Sequence, residues 1–274
     1  MKPVVFTDLD GTLLHPVSYS FKEAEPAIRM LKEKKIPIVM TSSKTRKEIE
    51  LYRERLSIKD PFISENGGGI FIPEGYFPFP VEGTSIDGYR VIMFGRPYEE
   101  VRRVLREIGS TLGVDIRGFG DMTVKEVAEL TGLSEQEAAL SMKRDFVEPF
   151  VCAKDSRLLK EVLKEIEKRG FRWTRGRFYH IMGEHDKGRA VRVLADYYRR
   201  LYGRVITIGL GDSLNDEPML RAVDIAVCVA KKDGSYEPFG IEGIIKADGI
   251  GPSGWNTAII NIIRRLQEQG SYGS

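Results

Sequence analysis

The chain has 274 residues, and its Lys+Arg of 42 against Asp+Glu of 40 leave a net charge of +2. Hydrophobic residues at 42% and charged residues at 30% exclude a disordered chain, and the near balance of charge argues against a general nucleic-acid binder. Two cysteines, Cys152 and Cys228, are too few for a disulfide framework, match no zinc spacing, and read as thiols of a reducing cytosol.

At roughly 150 residues per domain, the length fits two domains or one domain carrying a large insertion. No apolar run approaches the ~18 residues of a membrane span. The opening Met1–Phe6 run meets Asp8 too early for a signal peptide. Asn and Gln together number only seven, a bias that suggests a heat-adapted source.

In chain order, Pro3–Phe6 is a short apolar run ending at Thr7-Asp8, which predicts a buried strand meeting a functional loop. Phe21 to Lys35 has helical spacing, Ile36 to Met40 predicts a second buried strand, and Thr41-Ser42-Ser43 an N-cap for a helix through Leu56. Pro61–Ser64 predicts a third strand, and Gly67-Gly68-Gly69 then opens a hairpin from Ile70 to Pro80. This alternation predicts a parallel sheet with right-handed crossovers.

The middle of the chain changes character. Strands are expected at Arg90–Phe94 and Phe146–Ala153, helices at Pro97–Leu112, Val124–Lys143 and Ser156–Arg169, and a hairpin at Phe171–Ile181. Residues 83–183 therefore read as an inserted α+β module, with Gly83 and Gly183 as candidate hinges. From Asp186 the alternation resumes: helix Lys187–Tyr202, strand Arg204–Gly209, short helix Pro218–Ala222, strand Ile225–Val229 and helix Gly254–Gln267, then a Gly/Ser-rich tail from Gln269 that is expected to fray. The predicted fold is α/β: a doubly wound, Rossmann-like parallel-sheet core of residues 1–82 and 184–274, interrupted by an α+β cap.

In an open parallel sheet, ligands bind at the carboxyl ends of the strands. Asp8, Asp10, Ser42, Asp212 and Asp216 all end predicted strands, so they are expected to converge. Four carboxylates in one crevice need a cation, and all-oxygen ligands favour a hard one such as Mg²⁺. Taken singly, each feature has a plainer explanation. An Asp pair in a loop is usually solvated, Lys187 resembles a surface lysine at a helix start, and Asp212 and Asp216 suit a helix N-terminus.

Four stretches together change that balance. Asp8-Leu9-Asp10-Gly11-Thr12, Thr41-Ser42-Ser43-Lys44, Asp186-Lys187-Gly188 and Gly211-Asp212-Ser213-Leu214-Asn215-Asp216 resemble, in order, the four motifs of the haloacid-dehalogenase-like phosphohydrolases. The resemblance implies that Asp8 is a nucleophile forming an aspartyl-phosphate, and that Asp10 is a general acid and base. It implies that Thr12 and Ser42 hydrogen-bond phosphoryl oxygens, and that Lys187 sets a charge against the transferring group. It also implies Mg²⁺ held by Asp8, the Asp10 carbonyl and Asp212, with Asp216 in or near the shell.

Further strings resemble the mannosyl-3-phosphoglycerate phosphatase family within that superfamily: Ser42–Arg46, Ile63–Gly67, Gly75–Phe79, Gly176–Tyr179 and Gly251–Asn256. The implied partner is a small phosphorylated sugar-glycerate, with no nucleic acid and no membrane, in the cytoplasm. Ser43, Lys44, Asn66 and Gly67 are candidate substrate contacts from core loops, and Arg144 and Arg177 from the cap, where a guanidinium suits a carboxylate. Alternatives are a phosphatase for glucosyl-3-phosphoglycerate or sucrose-6-phosphate, a phosphomutase, or a non-catalytic sugar-phosphate sensor.

Overall fold

The computed structural model describes residues 1–152 and 156–270. Ala153, the expected end of one strand, and the last four tail residues lie outside the described residues. The core opens with β1 (Lys2–Thr7), whose side chains alternate between two apolar layers. Val5 packs with α1 (Glu25–Glu33), while Val4 and Phe6 face the opposite layer. β2 (Ile38–Met40) pairs parallel with β1, and α2 (Arg46–Arg55) follows it. The N-cap of α2 is Thr45 rather than the expected Thr41–Ser43. Its hydroxyl accepts the Glu48 N–H at 3.1 Å, and the Glu48 carboxylate accepts the Thr45 N–H at 2.9 Å.

β3 (Phe62–Ser64) meets the main sheet through a parallel bridge between Thr41 and Ile63. It turns through Glu65–Gly67 into β4 (Gly69–Pro73), so the hairpin forms around 65–67 and not between Ile70 and Pro80. β5 (Thr84–Ile86) and β6 (Tyr89–Met93) add to β4 in a small antiparallel sheet of order β3-β4-β6-β5. Gly83 therefore begins a hairpin of this sheet, whereas Gly183 lies against Arg96 where the chain crosses between core and insertion.

The inserted part comprises α3 (Tyr98–Leu112), β7 (Ile116–Gly118), α4 (Val124–Thr131), α5 (Glu135–Ser141), β8 (Val147–Cys152), α6 (Ser156–Lys168), β9 (Arg172–Arg175) and β10 (Tyr179–Met182). Its four strands form an antiparallel sheet of order β7-β8-β10-β9. Phe150 and Ile181 on one face pack with Val101, Leu105, Val162 and Ile166 of α3 and α6. By the two-residue strand period, Pro149, Thr174 and His180 stand on the other face.

The core resumes with α7 (Lys187–Tyr202), N-capped by the Asp186 carboxylate, which accepts the Arg189 N–H at 2.8 Å. β11 (Val205–Gly211), α8 (Glu217–Leu220), β12 (Ile225–Ala230), β13 (Ile245–Ile250) and α9 (Pro252–Glu268) complete it. The main sheet is parallel throughout, in the order β13-β12-β11-β1-β2. α1 and α9 cover one face, and α7 and α8 the other. The architecture is thus a doubly wound parallel core with an antiparallel-sheet module inserted. No helix among the described residues is long and apolar enough to cross a membrane.

Candidate active site

β1 and β11 are adjacent and parallel, so the loops leaving their carboxyl ends meet. Asp8 follows β1, and Asp212 follows β11. A Cβ on Gly11 would lie 2.7 Å from the Asp212 Oδ2, so only glycine lets the two loops approach this closely. The Thr12 hydroxyl then donates to Asp212 Oδ1 at 3.0 Å.

Lys187, the first residue of α7, is fully buried and donates to Asp8 Oδ1 and Asp216 Oδ1, each at 2.6 Å. The other oxygen of Asp216 accepts the N–H groups of Asp212 and Ser213 at 3.0 and 3.1 Å, bracing that loop. Carboxylate oxygens of Asp8, Asp212 and Asp216 lie within 4.8 Å of one another. One ammonium among three enclosed carboxylates leaves an excess of two negative charges. Burial, followed by the neighbouring Asp216, raises the Asp8 pKa well above the carboxylate range, and the same two causes raise Asp212 to about 7. Burial pulls the Lys187 ammonium down, but Asp216 and Asp8 more than offset it, and its pKa lies above the ordinary lysine value.

This excess negative charge and the all-oxygen donor set fit a divalent hard cation. Asp8 and Asp212 have oxygens to offer. Asp216 is also occupied as a brace, and the Asp10 carboxylate points elsewhere, so Asp10 has only its backbone carbonyl to give. Asp10 Oδ2 pairs with Lys44 Nζ at 3.0 Å. Lys44 is itself buried, 3.3 Å from Glu48 and over the rings of Tyr19 and Tyr52. Burial lowers the Lys44 pKa, yet Asp10 and Glu48 outweigh it and hold the ammonium charged.

These groups line a cavity of about 630 Å³ between the core loops and the inserted sheet. Asp8, Asp10, Ser43, Lys44, Asn66 and Asp212 reach it from the core, and Arg144, Arg177 and His180 from the insertion. Ser42 is fully buried at the end of β2, and its Oγ accepts the Lys44 N–H at 3.2 Å.

The haloacid dehalogenase-like hydrolase family matches residues 5–76 and 128–235, more than half of the chain. The chain belongs to the haloacid dehalogenase-like hydrolases. It is 47% identical over 266 residues to a Methanococcoides burtonii protein named glucosyl-3-phosphoglycerate/mannosyl-3-phosphoglycerate phosphatase, covering 96% of this chain and 98% of that one. It is 40% identical over 228 residues to the mannosyl-3-phosphoglycerate phosphatase of Pyrococcus horikoshii, covering 82% of this chain and 90% of that one. A crystal structure of a Thermoplasma acidophilum protein shares the fold, with a TM-score of 0.68, 20% identity, and coverage of 97% of this chain and 99% of that one.

In this hydrolase, three residues expected to meet substrate are engaged otherwise. Gly67 does not line the cavity. It has φ +93, and a Cβ there would lie 2.2 Å from the Asp186 carbonyl oxygen, so glycine lets the turn abut α7. Arg177 donates to the carbonyls of Thr131 and Leu130, closing the end of α4. Arg144 donates to the carbonyls of Ser141 and Ser43 at 2.7 and 2.8 Å, and so ties the insertion to the loop after β2. Both arginines border the cavity, but their guanidinium hydrogens are already partly committed.

The sequence reading missed Glu65, Glu48, His180 and Trp255 as parts of the site. Glu65 is fully buried, and its carboxylate accepts the N–H groups of Asp145, Phe146 and Val147 at 2.8, 3.0 and 2.8 Å. Burial pushes its pKa up to about 7, against the pull of Arg144 and of the backbone donors. Trp255 Nε1 donates to the Thr7 hydroxyl at 2.9 Å, and that hydroxyl donates to the Asp8 carbonyl at 2.7 Å. Glu48 left a readable trace at the fourth position of a Thr-x-x-Glu capping box, and Glu65 and Trp255 fall, without a role assigned, within the strings Ile63–Gly67 and Gly251–Asn256 that carry the family resemblance.

Proposed function

We propose that this chain is a phosphatase that releases phosphate from mannosyl-3-phosphoglycerate, with Asp8 as the nucleophile. The observation that carries the chemistry is Asp8, which lines the cavity beside Asp10 and is held from behind by the fully buried Lys187–Asp216 pair. The substrate is argued from the 47% and 40% identical relatives and the names they bear.

Asp8 Oδ attacks phosphorus, the phosphorus–oxygen bond to the glycerate breaks, and Asp10 gives its proton to the departing alkoxide. A water then attacks phosphorus, Asp10 takes its proton, and the bond to Asp8 breaks to release phosphate. Asp10 suits both steps, since Lys44 fixes one carboxylate oxygen and leaves Oδ1 without a protein partner. Lys187 neutralises charge on Asp8 and on the transferring group. Mg²⁺, held by Asp8, Asp212, the Asp10 carbonyl and the Asp216 region, would supply electrophilic stabilisation of the phosphoryl oxygens. Asn66 and Ser43 complete the phosphoryl end from the cavity wall in this reading, whereas Thr12, donating to Asp212, and the enclosed Ser42 would have to turn toward the phosphoryl oxygens on binding.

The core is proposed to comprise the main sheet together with the β3-β4-β6-β5 sheet, and the cap to begin after Met93 and end near Gly183. Neither cysteine forms a disulfide among the described residues, which suits the cytoplasm. The double name of the Methanococcoides burtonii relative favours glucosyl-3-phosphoglycerate as a second substrate. Phosphate release from mannosyl-3-phosphoglycerate, glucosyl-3-phosphoglycerate and hexose phosphates with Mg²⁺ tests the reading. The first two are expected to lead the panel, and Asp8→Asn to abolish release. Turnover retained by Asp8→Asn would remove the nucleophile assignment.

A further inference from the structure

Three side chains around the cavity carry a buried polar atom without a hydrogen-bond partner among the described residues: Asp10 Oδ1, Asn66 Nδ2 and His180 Nδ1. The first two belong to the phosphoryl end. His180 lies across the cavity on β10, only 7% exposed. No hydrogen bond among the described residues engages its Nε2 either.

We propose that His180, with Thr174 beside it, forms a hydroxyl-reading subsite for the hexose of the leaving group. This rests on the phosphatase reading above and names the part of the cap that selects the substrate. His180 pairs with Thr174 on β9 and Pro149 on β8, and all three line the cavity. Directly opposed residues on one face of a sheet hold their side chains about 5 Å apart, so the imidazole and the threonine hydroxyl make one polar patch. The Thr174 hydroxyl likewise has no partner among the described residues.

The character of the patch points to an alcohol. Burial, reinforced by Arg144 and Lys187, depresses the His180 pKa to about 3, so the ring is neutral. A neutral imidazole offers one N–H donor and one acceptor lone pair, and a hydroxyl offers the same mixture. Sugar hydroxyls match both, whereas a phosphate or carboxylate would call for donors alone. An enclosed polar group without a partner destabilises the unliganded fold, a cost that an apolar residue here would avoid.

The test compares kcat/KM on mannosyl-3-phosphoglycerate with that on p-nitrophenyl phosphate, which carries no sugar hydroxyl, in wild type, His180→Leu and Thr174→Val. The ratio of the two is expected to fall about tenfold in His180→Leu, the value of one lost uncharged hydrogen bond. Unliganded His180→Leu is expected to melt no lower than wild type. An unchanged ratio, whether both activities fall together or neither falls, overturns the proposal, and a lowered melting point with that ratio marks His180 as structural. Thr174→Val, nearly isosteric, reads the same ratio if His180→Leu does not fold. A wild type inactive on both glycosyl-3-phosphoglycerates would refute the substrate reading instead. The ratio is then taken with hexose 6-phosphates, where its constancy sinks the subsite as well.

Discussion

Removing the Glu65 carboxylate tests how the core holds the cap. Three backbone N–H groups from the start of β8 converge on it, and those of Phe146 and Val147 are fully enclosed. Glu65→Gln keeps the shape, but one end of the amide becomes a donor facing the Asp145 N–H. The loss of one charge-assisted bond predicts about 1.5–3 kcal/mol. Glu65→Ala leaves two enclosed donors unpaired, at about 1–3 kcal/mol each, so roughly 2–6 kcal/mol in all. That is a large share of the 5–15 kcal/mol that typically separates folded from unfolded chains, about. Urea unfolding measures the global cost, and hydrogen exchange at Asp145–Val147 the local one. A local loss of about 2 kcal/mol speeds exchange there roughly thirtyfold if those amides open without global unfolding. Protection at 145–147 equal to wild type in Glu65→Ala would refute the reasoning, because nothing else described accepts those donors.

Lys187→Met leaves Asp8, Asp212 and Asp216 without their ammonium, which is expected to abolish phosphate release and cost about 3–5 kcal/mol. Calorimetry should show that Mg²⁺ raises the variant's melting point more than the wild type's, and an equal shift would count against charge excess as the reason a cation fits. Trp255→Phe removes the donor to the Thr7 hydroxyl behind Asp8, and should lower kcat several-fold with little change in KM. A double-mutant cycle with Thr7→Val is expected to be non-additive, and additivity would show that Trp255 does not act through the Thr7 hydroxyl. His180 and His185 have pKa values depressed by burial to about 3 and about 4, so the native state takes up protons less readily than the unfolded chain. Their contribution is therefore full above the ordinary histidine value and is lost as pH falls below it, by about 2 kcal/mol each at pH ~5. Urea midpoints at pH ~7.5 and pH ~5 should show His180→Leu losing less on acidification than wild type, whereas parallel losses would refute the assignment.

The positions proposed as catalytic were legible because each sits where two local signals coincide. Apolar β1 ends at Asp8, apolar β11 ends before Asp212, and a parallel sheet carries both strand ends to one edge. Lys187 was legible by its company, following an N-capping Asp at the start of a strongly patterned helix. Pairings across long sequence separations left no such trace. Arg90–Phe94 reads as a strand from its own residues while Thr84–Ile86 does not, and nothing local says that either joins β4 rather than the inserted sheet. β13, with the sequence IKADGI, lies at the edge of the main sheet, where one side of the ladder is unpaired, and its polar, Gly-containing run hides it from any search for buried strands. Arg144 and Arg177 border the cavity, yet part of each guanidinium is bound within the protein, while Gly67 serves the close approach of its turn to α7. A guanidinium is drawn to an unpaired carbonyl, and the ends of α4 and α5 supply Leu130, Thr131 and Ser141. His180 was invisible for the opposite reason, since what distinguishes it is a bond that the folded protein does not make. A residue with no partner among the described residues carries no spacing rule, and it is the cavity around it that points to a partner from outside.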